Sequence, residues 1–347
     1  MAISRANRGT VSAVPGRFVV NHSESDEPRQ ARATRYHREL AKSIIMRQRS
    51  PDLPFEQSLN PYRGCEHGCI YCYARPNHAY VDLSPGQDFE TEIFCKDNAA
   101  EVLRDTLRKP SYQCRPMVLG TVTDPYQPIE RERRLTRQLL QVLSDSRHPF
   151  SLITKSSLVL RDLDLIAPMA RAGRASVAIS VTTLDNRLKS QLEPRASAGR
   201  ERLRAIRELS RAGVPVTVLV APLIPFINDH ELEDIIAQVS QAGATSAAYV
   251  VLRLPHEVGE LWQEWLQEHY PERADKIMSV MKDLHGGSIY DSRWHVRHSG
   301  QGPWAQLLRQ RFDSACRHQG LQGRETLALD TTAFRPPGPH GQLALWD

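Results

Sequence analysis

Cys65-Glu66-His67-Gly68-Cys69-Ile70-Tyr71-Cys72 sets three cysteines within eight residues, spaced Cys-x3-Cys-x2-Cys with an aromatic directly before the third thiol. Three thiolates on one short loop suit three irons of a [4Fe–4S] cluster, because soft sulfur donors favour iron–sulfur centres. The fourth iron then lacks a protein ligand, and an open metal position is where chemistry occurs. Zinc is the alternative, but it needs four ligands, and His67 lies inside the loop with poor geometry for the fourth. A disulfide framework fits badly with six cysteines in 347 residues and no secretory signal.

Outward from the loop, the chain alternates apolar runs with amphipathic stretches. The runs Met117–Val122, Phe150–Ile153, Val177–Val181, Val214–Ala221 and Ala247–Leu252 are rich in Val, Ile and Leu without strict alternation, as in strands buried on both faces. Amphipathic stretches near 97–108, 130–145, 158–172, 200–212 and 230–242 separate them. Gly173, Gly213 and Gly243 each close a stretch just before a strand, in the manner of helix C-caps. With one more strand leading into the cysteine loop, the pattern is six βα units around a parallel sheet. Six units predict an α/β fold: a partial (β/α)6 barrel, open on one side, spanning residues 51–255. Functional groups then gather at the C-terminal ends of the strands, where the cysteine loop also falls.

Residues 1–50 hold ten Arg/Lys against four Asp/Glu, a charge of +6 out of the chain's +5 total, which leaves the remainder at −1. This basic N-terminal extension is expected to be partly disordered over 1–35 and helical over 36–50; it either attracts phosphate backbones or is simply solvated. Residues 256–330 read as a helical C-terminal addition whose Trp262, Trp265, Trp294 and Trp304 are packing residues. No apolar run reaches the roughly 18–20 residues of a membrane span, and Met1-Ala-Ile-Ser-Arg lacks a signal peptide's apolar stretch. Free thiols and a cluster fit a reducing compartment, so the expected location is cytoplasmic, with no membrane association.

The cysteine loop followed by a βα series resembles the radical S-adenosylmethionine superfamily, most closely its spore photoproduct lyase-like branch. The resemblance implies that Cys65, Cys69 and Cys72 ligate the [4Fe–4S] cluster while the open iron binds S-adenosylmethionine. An electron from a flavodoxin- or ferredoxin-type donor then cleaves the sulfonium to methionine and a 5′-deoxyadenosyl radical. It also implies further contacts at strand ends. Tyr71 stands where the family packs an aromatic beside adenine. Thr123 and Asp124 stand near the methionine amino end, Lys155 at the cofactor carboxylate, and Ser180 at another cofactor contact. Glu193 and Arg195 bracket the ribose and carboxylate. Tyr71 and Tyr73 match the lyase's paired tyrosines, which gives Tyr73 a catalytic role.

One position departs from the lyase. Where it carries a hydrogen-donating cysteine, this chain has Thr121, whose O–H bond is too strong for that step. Repair of the same lesion by the same relay is therefore not expected. Cys95 and Cys114 read as buried small hydrophobes.

The end of the chain, residues 331–347, reads as a flexible tail. Its Gln342-Leu343-Ala344-Leu345-Trp346 resembles the pentapeptide that docks repair proteins on the DNA sliding clamp, with Leu343, Leu345 and Trp346 filling an apolar groove and Gln342 orienting. Tail, basic arm and lyase-like strand ends together favour a radical enzyme acting on nucleic acid, a damaged or modified DNA base in particular. The same chemistry on RNA, protein or a small molecule is the alternative. From another class, a non-catalytic metal-bound adaptor tethered to the clamp predicts a closed zinc site.

Overall fold

A computed structural model describes residues 8–10, 12–18, 33–323 and 328–338. The clamp-like residues Gln342, Leu343, Leu345 and Trp346 lie outside that range.

The apolar runs form β6 (Met117–Leu119), β7 (Phe150–Thr154), β8 (Ala175–Ser180), β9 (Val216–Leu223) and β10 (Ser246–Val251), and the strand leading to the cysteines is β3 (Gln57–Leu59). They lie side by side in the order β10-β9-β8-β7-β6-β3, all parallel, with β2 (Ile45–Arg47) antiparallel on the outer edge of β3. Strands β10 and β2 do not pair, so the barrel is open, as the six units imply. A second sheet, ordered β1-β5-β4, joins β1 (Arg35–Glu39), β5 (Glu92–Lys96) and β4 (Tyr62–Arg63). Because β4 ends two residues before Cys65, the cysteine loop hangs between the two sheets.

Residues 36–50 correct the expectation of a helix: they contribute β1 and β2. Glu39-Leu40-Ala41-Lys42 are good helix formers, but the open edges of β5 and β3 each offer a row of backbone partners, and pairing overrides weak local propensity.

Helices α2 (Ala99–Leu107), α4 (Leu135–Asp145), α5 (Leu163–Arg171), α7 (Gly199–Arg211) and α8 (Leu232–Gln241) cover the outside of the sheet, while the short α1 (Asp88–Thr91), α3 (Glu130–Arg133) and α6 (Asn186–Leu192) lie by the second sheet and the cysteine loop. Gly173, Gly213 and Gly243 end α5, α7 and α8 at φ of 71°, 79° and 99°, the left-handed caps their positions suggest. Beyond the barrel follow α9 (Val258–His269), α10 (Ala274–Leu284) and α11 (Gly302–Gln319). Trp262 and Trp265 stack at 4.9 Å inside this addition, and Trp304 packs against it. Trp294 departs from the packing role, with 58% of its surface exposed.

The strands are not uniformly buried on both faces. Every residue of β8 is buried, whereas β7 and β9 alternate buried and half-buried positions. One face of those strands packs on helices; the other, half-buried, faces the inside of the open barrel, here called the chamber. Segment 285–301 spans the open side. Its His298 carbonyl accepts Val251 N–H on β10 at 2.9 Å, and Arg297 grips Asp52, from the loop after β2, at 2.6 and 2.7 Å.

The described parts of both extensions are anchored on the barrel. Arg8 and Thr10 are buried. Of the C-terminal tail, residues 331–338 are pinned: Phe334 packs on Tyr112 and His148, Arg335 N–H donates to Ser146 O at 2.9 Å, and Arg108 donates to Pro337 O at 3.2 Å. Among the described residues no helix is long and apolar enough to cross a membrane.

Candidate active site

The cysteine loop is held by backbone bonds on every side. Cys65 N–H donates to Phe89 O at 2.9 Å, Ile70 N–H to Leu192 O at 3.1 Å, and Arg195 N–H to His67 O at 3.2 Å. Gly64 and Gly68 turn the chain at φ of 78° and 65°, and a Cβ on Gly68 would stand 2.7 Å from Glu90 Oε2; both constraints call for glycine.

Two fully buried carboxylates anchor the loop. Glu66, inside it, accepts Arg195 at 2.9 Å, the Thr34 hydroxyl at 2.9 Å and the Tyr36 hydroxyl at 3.0 Å. Glu90, beside it, pairs with Arg75 at 2.5 Å and accepts the N–H groups of Gly9 and Thr10 at 2.9 and 3.2 Å. Arg75 in turn donates to Cys69 O at 3.0 Å. The N-terminal arm is thus bolted onto the outer face of the loop. Gly9 lies so close to Gly68 that no side chain fits between them.

Cys65 and Cys69 are buried and Cys72 is half-buried. Burial pushes the Cys65 thiol up to about 12, and Asp124 adds to the rise. Burial raises Cys69 well above its ordinary range against the pull of Lys155. Such thiols hold their protons until a metal displaces them, since coordination deprotonates a thiol outright. Among the described residues no three His, Cys, Asp or Glu side chains converge on a single-ion site. A cluster asks for something else, one thiolate per iron, so its sulfurs need not converge on a point. The soft donor set and the mutual electrostatic influence of the three thiols fit that demand.

Tyr71 is buried, its hydroxyl donating to Glu193; burial and that carboxylate push its pKa far up. Lys155 Nζ stands 6.0 Å from the Tyr71 ring. Burial would lower Lys155, but Cys69 and Glu193 outweigh it and keep the ammonium charged. Tyr73, next to Cys72, is 44% exposed although protein surrounds it closely enough for burial to raise its hydroxyl. Water thus reaches the ring while protein crowds the hydroxyl. Its hydroxyl donates to Thr121 O at the end of β6.

The other expected contact residues also bond to the protein around them. Thr123 donates to Gly64 O at 2.7 Å. Asp124 accepts the Thr154 hydroxyl and Lys155 N–H, both at 2.7 Å. His67 Nδ1 lies 3.3 Å from Asp124, an ion-pair separation without hydrogen-bond alignment. Burial would raise Asp124, but His67 and these donors hold it at about 2. Glu193, wholly buried, is gripped by Arg202, which it meets in an ion pair, and by Thr182 at 2.6 Å; Arg202 and Lys155 overcome burial and hold it at about 2. Arg195 is committed to Glu66. Ser180 is buried at the end of β8, its carbonyl accepting Arg202 at 3.0 Å.

Sequence reasoning missed Glu66, Glu90, Arg75 and Arg202. Charged residues in loops and amphipathic stretches read as solvated, and nothing in their spacing announces a buried partner.

The radical SAM superfamily model matches residues 59–239. An uncharacterized protein of Mycobacterium tuberculosis is 36% identical over 273 residues, 78% of this chain and 80% of its own. A radical SAM Nα-GlyT isomerase of Pseudomonas phage M6 is 26% identical over 236 residues, 66% of this chain and 46% of its own. Among solved structures, spore photoproduct lyase complexed with dinucleoside spore photoproduct superposes with a TM-score of 0.58 at 14% identity, over 83% of this chain and 80% of that one; the likeness is one of fold.

Proposed function

Because the chain belongs to the radical SAM superfamily, we propose that it abstracts hydrogen from a nucleic-acid substrate, a modified or damaged DNA base. It is a radical SAM enzyme, and its superfamily uses a [4Fe–4S] cluster and S-adenosylmethionine. When bound, the pair supplies a 5′-deoxyadenosyl radical, which removes a hydrogen atom from carbon.

Cys65, Cys69 and Cys72 hold the cluster. Lys155 offers its ammonium to the cofactor carboxylate, and Tyr71 presents an apolar face to the adenine. Ser180 closes the same side. Thr123, Asp124, Glu193 and Arg195 act one step back: they fix the loop, the Lys155 backbone and the Tyr71 hydroxyl, so that the cofactor meets prepositioned groups. Tyr73 lines the chamber on the substrate side. Electrons come from a flavodoxin- or ferredoxin-type donor in the cytoplasm.

The observation that carries the nucleic-acid reading is the solvent-reached Tyr73 ring, beside the last cluster cysteine, with the Arg253 guanidinium 5.0 Å from its centre. Aromatic faces and cations together suit bases and phosphates. One neighbour in fold points the same way, a lyase seen with a dinucleoside. The test is anaerobic incubation with deuterated DNA. Label appearing in 5′-deoxyadenosine supports the reading, and label arriving from RNA or protein alone refutes it.

Gln342, Leu343, Leu345 and Trp346 are proposed to tether the enzyme to the sliding clamp. Residue 338 is fixed on the barrel, so the leash is short and holds the enzyme close to the clamp. A peptide of residues 336–347 should bind the clamp in calorimetry and lose binding on Leu343→Ala with Leu345→Ala; equal binding by both removes the tether.

A further inference from the structure

Arg253 follows β10 by two residues, at the chamber mouth. Its guanidinium carbon lies 5.0 Å from the centre of the Tyr73 ring and 5.8 Å from that of Tyr290. Nη2 donates to the Tyr290 hydroxyl at 3.2 Å, and Nη1 stands 3.1 Å from His298 Nε2. A guanidinium has donors and no acceptor, so Nε2 of His298 accepts and the imidazole proton sits on Nδ1. That nitrogen faces Asp52 Oδ2 at 3.4 Å, and Asp52 is already taken by Arg297.

The arrangement holds Arg253 in place without neutralising it. Among the described residues no carboxylate comes within ion-pair distance of it, and its buried Nε has no hydrogen-bond partner. Arg75, Arg137, Arg161, Arg195 and Arg202, by contrast, each meet a carboxylate within 3 Å. The buried Nε is out of reach of solvent, but Nη1 and Nη2 each make one protein contact and keep a second hydrogen, so this half-buried cation can still take an anion from outside. Its position beside Tyr73 puts that anion next to the residue that follows the last cluster cysteine.

We propose that Arg253, framed by Tyr73 and Tyr290, is the anchor for a phosphodiester of the substrate strand, setting which nucleotide enters the chamber. The inference rests on the nucleic-acid reading above. A guanidinium fork meets two phosphate oxygens at once, while the Tyr73 ring offers a stacking face to the neighbouring base.

The test is fluorescence anisotropy of the full-length, anaerobically reconstituted protein with labelled single-stranded DNA across a salt series. Arg253→Gln should weaken binding about tenfold and flatten the slope of log K against log salt by about 0.7. Arg253→Lys, which keeps the charge and loses the fork, should restore the slope but not the full affinity. Arg171→Gln, at the far end of the barrel on α5, should change neither. Thermal melts identify any variant that fails to fold, and the comparison is then carried by the other. Equal affinity and slope for Arg253→Gln and wild type overturn the anchor while leaving the nucleic-acid reading intact. No DNA binding by the wild type overturns both.

Discussion

The cysteine loop and the β10 side of the chamber face each other and are built on opposite lines. Around the loop, Glu66 and Glu90 are fully buried and gripped by arginines, hydroxyls and backbone N–H groups from β1 and the segment before it, the residues after the loop and after α6, and the N-terminal arm. On the β10 side, the covering segment 285–301 has no helix or strand, an exposed Trp294, and a single carboxylate, Asp52, tying it to the opposite edge. The difference teaches a division of labour. On the proposed function, a metal cofactor with one geometry calls for an over-determined loop, and a substrate that must enter and leave calls for a side held by few contacts. Regions with few contacts open more readily.

The comparison breaks first at the thiols. Cys69→Ala should remove cluster iron and lower 5′-deoxyadenosine formation by more than about a thousandfold, read by iron assay and chromatography. Retained turnover would mean that the loop is not the metal site.

Next comes the buried pair that fixes Tyr71. Glu193→Gln leaves Arg202 charged and unmatched in a dry site, and should cost about 3–5 kcal/mol in urea unfolding. A change below about 1 kcal/mol would show that this side is no more rigid than the other.

A third effect is set by pH. Burial holds His78 and His148 neutral, each with its pKa lowered to about 4. Between about pH 6.5 and 4 the unfolded chain takes up these protons and the folded one does not, so stability falls as pH drops through that window. The loss is up to about 3 kcal/mol per histidine. His78 sits under the loop against Phe89 and donates to Glu92 O at 3.0 Å, so His78→Gln should flatten the cluster-side share of the loss.

The smallest effect belongs to the β10 side. Asp52→Asn weakens the grip on Arg297 and should cost about 1 kcal/mol, but it should speed hydrogen exchange selectively in 285–301. Uniform acceleration across the protein would erase the distinction between the two sides.

Much of the barrel was legible in the sequence because its signals are local. Valine-rich runs punctuated by Gly173, Gly213 and Gly243 specify strands, helices and caps within short windows. The three cysteines stand out in the same way, by their spacing within eight residues. The strands of 35–47 were not legible, since only the waiting edges of β3 and β5 make them strands. Nor was the docked arm, where Gly9 and Thr10 engage Glu90 through backbone N–H groups that carry no side-chain signature. Arg253 was hidden for a third reason: what distinguishes it is the lack of a carboxylate neighbour, a property of the folded surroundings.

The central claim is that three thiolates of this loop carry a [4Fe–4S] cluster with one iron left to S-adenosylmethionine. Mössbauer spectroscopy of protein reconstituted with iron-57 tests it most directly. On addition of S-adenosylmethionine, about a quarter of the iron signal should shift while the rest stays unchanged. A spectrum indifferent to S-adenosylmethionine, or metal bound without sulfide, would contradict it.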